Sequence, residues 1–506
     1  MVDLVREHRA GRLEFFAPPG KPGPKRGQTS VAAHARDRTI ELWLEGLTAK
    51  QISERLAIEG IRLSRTGVSE VLDQAGLRGR RQPAAAQQDS LLPGVGVQDF
   101  DALPTRQQTT LAGLLLLVPE LVALDLPALV DRAGYPDTRR IPAVSWLLAL
   151  LALKLLGRGK SVNSDPAPAL LTGLTALPRQ TALSEYSYWP PSGVQRAFLS
   201  AMITKGGLIT PGQRVFGIDM RDSGPRHGDL QPEGERPGRP QRQTAVFASA
   251  ADTGKLVFAD VGADPHTLVM AFCDHWRQVT GADPELLVVS GKAAARKVLR
   301  SLHEREIAFL APRPASPALR AFLAGLPLAG YQQVLLASSE FRAHEEPAVP
   351  LPGFPGHVRQ LNLALDDGNP TVLVTSDRTR DTAELLELWV LQATRERQIS
   401  GLTRVYGTEA WSSTVNLNAD VDVMLYVVIQ ALLSAVNGRL PALAERGQSA
   451  FRRYFLELPA ELTTSDQALT VRFERQAWSP ILRKAVLPEQ TIVPWWGGRR
   501  LRFRVG

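Results

Sequence analysis

Cysteine is nearly absent from this chain. Among 506 residues there is one, Cys273, so a disulfide framework and a cysteine-rich zinc site are both excluded. Nothing in the thiol count argues for an oxidising compartment. Long apolar runs are missing too. The longest, VSWLLALLALKLLG over Val144–Gly157, is too short to span a bilayer and carries Lys154, so it reads as a buried helix and no membrane partner is expected. The opening MVDLVREHRAG lacks the apolar core and cleavage site of a signal peptide, which sets the expectation of a cytoplasmic protein. No internal repeat is visible, and no histidine–cysteine set has metal-site spacing.

Positive charge is in surplus. Lysine and arginine number 59 against 51 aspartates and glutamates, a formal net charge of +8. A basic balance favours a polyanionic partner such as nucleic acid. Arginine heavily outnumbers lysine, which suits bidentate phosphate contacts and equally suits a GC-rich genome. The apolar fraction, 44%, is ordinary for a globular protein, and the length suggests roughly two to four domains.

Residues 1–35 carry PPGKPGPKRG and read as a flexible basic arm, offering Lys21, Lys25 and Arg26 to phosphates, or as a plain linker. Residues 36–81 hold three helices. ARDRTIELWLEGL has apolar Ile40, Leu42, Trp43, Leu44 and Leu47; TAKQISERLAIEG opens on Thr48 and closes on Gly60; SRTGVSEVLDQAGL opens on Ser64 and buries Val68, Val71 and Leu72. Two short helices joined by a tight turn, the second polar at its start, fit a helix-turn-helix. That reading presents Ser64, Arg65, Thr66 and Ser69 to DNA, with Arg78, Arg80 and Arg81 following. The alternative is a helical packing module with no ligand.

Residues 82–98 form a linker by composition, and 99–212 read as a helical domain. Over 213–311 the period changes. QRVFGIDM is a strand, QTAVFASAADTGKLVFADVG a hairpin, TLVMAFCDHWRQVTG a helix, and ELLVVS, AAARKVLRSLHERE and IAFLA follow as strand, helix and strand. That order predicts a mixed five-stranded sheet with helices on both faces. Residues 312–380 are a β-rich insertion, 381–440 are helical, and 441–506 are a β-containing extension. Its basic end alternates Arg499, Arg500, Arg502 and Arg504 in WWGGRRLRFRVG, which fits phosphate contacts or an ordinary charged edge strand. The loop between the first two strands holds Gly238, Arg239 and Pro240, a minor-groove hook or a solvated loop. His275 and Trp276 read as packed or surface residues of a helix.

The segments IPAVSWLLALLALKLLG, TALSEYSY, VFGIDM, AVFASAADTGKLVFADV, PELLVVSGK, NPTVLVTSD, EAWSSTVNLNADVDV and PWWGGRRLRF run in order through the chain. Together they resemble bacterial insertion-sequence transposases of the DDE class, RNase H-like enzymes with a β-rich insertion before the last catalytic helix. The resemblance implies an α/β multidomain fold: a helix-turn-helix, a helical region, and an RNase H-like core. It implies a site of three acidic residues holding two Mg²⁺ ions about 4 Å apart for phosphodiester cleavage. The first falls on Asp219, the second on Ser290, and the third on Glu396 in LWVLQATRERQISG, where Leu388, Leu391 and Gln392 form an inward face that Glu396 continues. Asp219 and Glu396 would be the metal ligands. Glu409, Asp420 and Asp422 are other acidic candidates for the third place, and Asp222 could assist the first. Asp283 and Glu285 sit at the start of the fourth strand, about 15 Å from its other end.

Ser290 is the departure that matters. A hydroxyl is a poor ligand for a hard cation beside a carboxylate, and misalignment of this kind carries a rate loss on the order of 10²-fold. The sequence therefore points first to a transposase-derived DNA-binding protein with an incomplete site, impaired or domesticated. The alternatives are an active transposase and a transcriptional regulator unrelated to transposition. Expected partners are double-stranded DNA, terminal inverted repeats being one form of it, and a second copy of the chain on DNA, in a bacterial, nucleoid-associated setting.

Overall fold

Thr48 and Ser64 punctuate the first of two units, Met1–Leu91. The computed structural model describes residues 36–74 except 45–46, and residues 96–506 except 139–140, 157–163, 179–182, 184–185, 187–189, 191–192, 223–243, 315, 337–338, 365–370, 408–415, 441–450, 466 and 478. Thr48 and Gln51 form a reciprocal capping box that starts helix α2 (Ala49–Ile58). Ser64 accepts from the Gly67 amide at 3.1 Å and opens α3 (Arg65–Gln74). With α1 (Arg36–Leu44) they bury Ile40, Leu42, Trp43, Ile52, Leu56, Val68 and Val71 in one small core. Gly60, at φ +81°, ends α2 where a side chain would be strained. The three helices follow the sequence expectation. The proposed arm and the residues Lys21, Lys25, Arg26, Arg78, Arg80 and Arg81 lie outside the described residues.

The second unit, Leu92–Gly506, begins with a strand rather than a helix. Strand β1 (Arg106–Thr109) is followed by α4 (Val118–Ala123), α5 (Leu126–Ala133), α6 (Ala143–Leu156), α7 (Pro166–Thr172) and α8 (Val194–Lys205). Helix α6 is the long apolar run of the sequence, and it is buried nearly all round, as a uniformly apolar helix must be.

Next comes a large sheet: β2 (Val215–Asp222), β3 (Thr244–Ala250), β4 (Leu256–Gly262), α9 (Pro265–Thr280), β5 (Leu286–Val289), α10 (Arg296–Glu304) and β6 (Ala308–Pro312). Then follow α11 (Pro317–Ala324), β7 (Gln332–Leu336), β8 (Ser339–Pro350), β9 (His357–Ala364) and β10 (Thr371–Thr375). The spatial order is β4-β3-β2-β5-β6-β10-β9-β8-β7. Strands β2, β3 and β4 pair antiparallel, while β5 runs parallel to both β2 and β6.

Two expectations need correction. The sheet has nine strands, not five. A bare β6 would leave a row of unpaired backbone groups beside apolar residues; β10 takes that edge antiparallel, with Leu373 opposite Pro312 and Thr375 opposite Leu310. The β-rich insertion of residues 312–380 therefore adds β7, β8, β9 and β10 to the core sheet. Second, the helical segment and the C-terminal extension are not independent. Strand β1 joins β11 (Ala460–Ser465), β12 (Ala468–Phe473), β14 (Arg499–Val505) and β13 (Thr491–Val493) in a second sheet. The Trp495 and Trp496 indoles donate to the Leu171 and Leu170 carbonyls at 2.9 and 2.8 Å. Gly113 lies so close to the Phe455 backbone that an added Cβ would meet its carbonyl oxygen at 1.5 Å.

The last two long helices, α12 (Thr382–Tyr406) and α13 (Asn416–Arg439), cover one face of the large sheet, and α9 covers the other. Phe216 packs on Phe272 and Trp276 of α9 at 5.3 and 4.4 Å, whereas Phe247 meets Tyr426 of α13 at 5.8 Å. Among the described residues one stretch, Asp420–Arg439 in α13, is long and apolar enough to cross a membrane, and 67% of its most apolar window is buried within the fold.

Candidate functional site

Strand β2 alternates, so Val215, Gly217, Asp219 and Arg221 share the face covered by α12. Gly217 is required there: an added Cβ would meet the Gln392 side-chain oxygen at 1.7 Å, so the absence of a side chain lets α12 settle onto the strand. Gln392 is buried and donates to the Ile218 carbonyl at 3.3 Å and to the Glu396 carboxylate at 3.4 Å. One helical turn separates Gln392 from Glu396, which puts both on the sheet-facing side of α12. The inward face foreseen in the sequence holds at Gln392, while Leu388 and Leu391 are half-buried.

Parallel pairing of β5 with β2 matches Ile218 with Val289. The next pair in that register is Asp219 with Ser290, at neighbouring strand ends. Ser290 is 7% exposed and its hydroxyl donates to the Ile218 carbonyl at 3.4 Å. The three sequence-selected residues thus converge on one place. Asp219 follows Ile218, Ser290 touches Ile218, and Glu396 is tied through Gln392 to Ile218.

A fourth member was missed. Arg221 Nε donates to Asp219 Oδ2 at 2.7 Å, and its terminal nitrogen donates to the Glu396 backbone carbonyl at 2.8 Å. The signal was available: aspartate and arginine two positions apart on a strand must share a face. The sequence reading placed Arg221 in the loop that follows, when the strand in fact runs on to Asp222. Burial pushes the Asp219 carboxyl up to about 6; Arg221 pulls it down, and the Glu396 charge adds to the rise.

This donor set does not fit a two-metal centre. Two carboxylates and a hydroxyl are present where hard divalent ions need several anionic oxygens. One carboxylate already carries a guanidinium. Among the described residues no group of three or more His, Cys, Asp or Glu could hold a metal ion.

Three of the other acidic residues, Asp422, Glu285 and Asp283, are engaged elsewhere. Asp422 receives the Lys154 ammonium at 2.7 Å, both buried. Asp420 is a half-buried residue of α13. Glu285 pairs with Arg380 at 2.5 Å and Asp283 with Arg277 at 3.4 Å, at the opposite end of β5. Glu409, Arg239 and the Asp222 side chain lie outside the described residues. His275 is packed against Phe258 at 5.1 Å, and burial pushes its imidazole down to about 4. Cys273 is buried and its thiol is pushed up to about 12.

Of the proposed DNA contacts, Arg65 and Thr66 are exposed at the start of α3. The Ser64 hydroxyl is used as the helix cap, and Ser69 donates to the Arg65 carbonyl at 3.0 Å. Arg499 turns inward, paired with Asp101 and lying 5.5 Å from the Phe100 ring. Arg500 faces the other way.

No protein-family description matches the chain, and no curated protein matches it in sequence. Solved structures do. The piggyBac transposase synaptic complex with hairpin DNA is similar over 70% of this chain and 82% of its own, at 10% identity and a TM-score of 0.35. The Mos1 transposase paired-end complex with left transposon end is similar over 60% and 63%, at 10% identity and a TM-score of 0.13. Both structures are of transposases, and likeness this distant leaves function to be argued from the chain's own residues.

Proposed function

We propose that this chain is a transposase-derived DNA-binding protein with an RNase H-like core, whose strand-cutting site is incomplete. The observation that carries the reading is the meeting of Asp219, Ser290 and Glu396 at neighbouring strand ends under α12, with Arg221 seated on Asp219. The strand order β4-β3-β2-β5-β6 and the long helix delivering Glu396 supply the frame of a nuclease of this class. Ser290 replaces a charge that metal-dependent cleavage needs, and Arg221 places a fixed cation beside the one strand-end carboxylate that remains.

DNA recognition is assigned to the first unit as a helix-turn-helix. The α3 amino-terminus presents Arg65 and Thr66 beside free backbone amides and the positive end of the helix dipole, which favours phosphate. These contacts hold the chain on DNA without cutting it.

The test is Mg²⁺-dependent strand cleavage on duplex DNA that spans the sequences on either side of the gene. Wild type should not cut. Ser290→Asp combined with Arg221→Ala restores a carboxylate and removes the guanidinium, and cutting should then appear at a measurable rate. Cleavage by wild type that disappears in Asp219→Ala would overturn this reading in favour of an active transposase.

A further inference from the structure

We infer that the outer face of the C-terminal sheet is a second contact surface for the phosphate backbone of double-stranded DNA. The inference rests on the proposed function and adds a place and a chemistry to it. The sequence showed the alternating arginines of β14 alone; the fold adds Arg106 from β1 and Arg472 from β12 to the same face.

The register assembles it. Arg500 lies opposite Ala468, Arg502 opposite Thr470, and Arg504 opposite Arg472. Thr470 continues to Thr463, which is opposite Arg106. Arg472 continues to Glu461, which is opposite Gln108. Alternation sends Leu501, Phe503, Leu469, Val471 and Phe473 to the opposite, apolar side. Within the strands the outer face therefore carries Arg106, Arg472, Arg500, Arg502 and Arg504 against one acid, Glu461, paired with Arg106 at 3.9 Å, and Glu474 follows just past the end of β12.

Among the described residues Arg472, Arg500, Arg502 and Arg504 make no ion pair. Arg472, Arg502 and Arg504 are exposed. Arg472 and Arg504 sit side by side on adjacent strands, about 4.8 Å apart in the hydrogen-bonding direction. Like charges so placed repel one another, and a polyanion laid across them relieves that repulsion. Along β14 the outward arginines recur every ~6.8 Å, over roughly 14 Å. A duplex presents on the order of eight phosphates in that length of axis.

The face also says what the partner is not. A membrane surface would call for interleaved aromatic or bulky apolar residues, and the one large apolar side chain exposed here is Ile492, opposite Arg500. Single-stranded nucleic acid bound on a sheet stacks its bases on aromatic rings, but Phe473 and Phe503 stack on each other on the inner side. Flat, forked and regularly spaced cations suit a backbone read without sequence.

The experiment is fluorescence anisotropy of the full chain with a random-sequence duplex across a salt series. Arg500→Gln/Arg502→Gln/Arg504→Gln should weaken binding on the order of 10²-fold near 0.1 M salt and flatten the log–log salt slope by about 2 to 3. The corresponding triple lysine variant should keep the slope. Melting curves establish that each variant is folded; should the triple glutamine variant not fold, Arg472→Gln/Arg504→Gln serves, with a loss of about 2 in slope. An unchanged slope in folded variants of a protein that binds duplex overturns the surface and leaves the proposed function standing. A wild-type chain that binds no duplex overturns both. Loss of binding to phosphatidylserine vesicles, with duplex binding intact, overturns the surface in favour of a lipid partner.

Discussion

Burial alone would hold the Asp219 carboxyl far above the ordinary carboxylate range; Arg221 opposes this, and the balance falls at about 6. The unfolded value is near 3.9, so between the two the native state binds more protons than the unfolded one. Stability from this group is therefore greatest below about pH 4 and falls as pH rises to about 6, by on the order of 3 kcal/mol in total. Asp219→Asn cannot titrate. Urea melts from pH 4 to 7 should show wild type losing stability relative to Asp219→Asn as pH rises, and a constant difference would mean the carboxyl is hydrated. The choice of Asp219, Ser290 and Glu396 came from the family resemblance; the apolar patterns of the sequence itself gave only two strand ends and an inward helix face. Arg221 was not legible, because a strand that ends in charged residues looks like the start of a loop.

At the scale of elements, the junction of α6 and α13 is the most exacting. Lys154 donates to Asp422 at 2.7 Å and lies 3.8 Å from the Tyr426 ring centroid. Burial lowers the lysine's proton affinity, and Asp422 restores part of it. Removing one member strands the other's charge in a dry interior. Lys154→Met should cost about 3 to 5 kcal/mol in denaturant unfolding, and Lys154→Met/Asp422→Leu should recover most of it. Equal losses in the single and double variants would show that volume, not charge, sets the cost. The sequence announced the buried helix through its apolar length and flagged Lys154 as an interruption. It could not announce the partner, 268 positions away, because nothing local marks which aspartate a buried lysine will meet. The same blindness explains the sheet. Residues 312–380 read as β-rich, but the seat of β10 beside β6 depends on backbone pairing that no period encodes.

At the scale of the molecule there are two units: Met1–Leu91, with three helices among its described residues, and Leu92–Gly506, which carries both sheets. Deleting residues 1–91 should abolish preference for a specific duplex while leaving weak, salt-sensitive association through the arginine face. Differential binding of specific and random duplexes by the full and shortened chains checks this; specificity retained without the first unit would move recognition into the larger one. The second sheet carries a further consequence for synthesis. Its order, β1-β11-β12-β14-β13, seats residues 499–505 between two strands made earlier. Residues 499–505 must be made before β12 and β13 can be joined, so without them the strand order has a cleft between β12 and β13. A stop codon ahead of Arg499 would leave that cleft permanently open and strip the surface of three of its arginines at once.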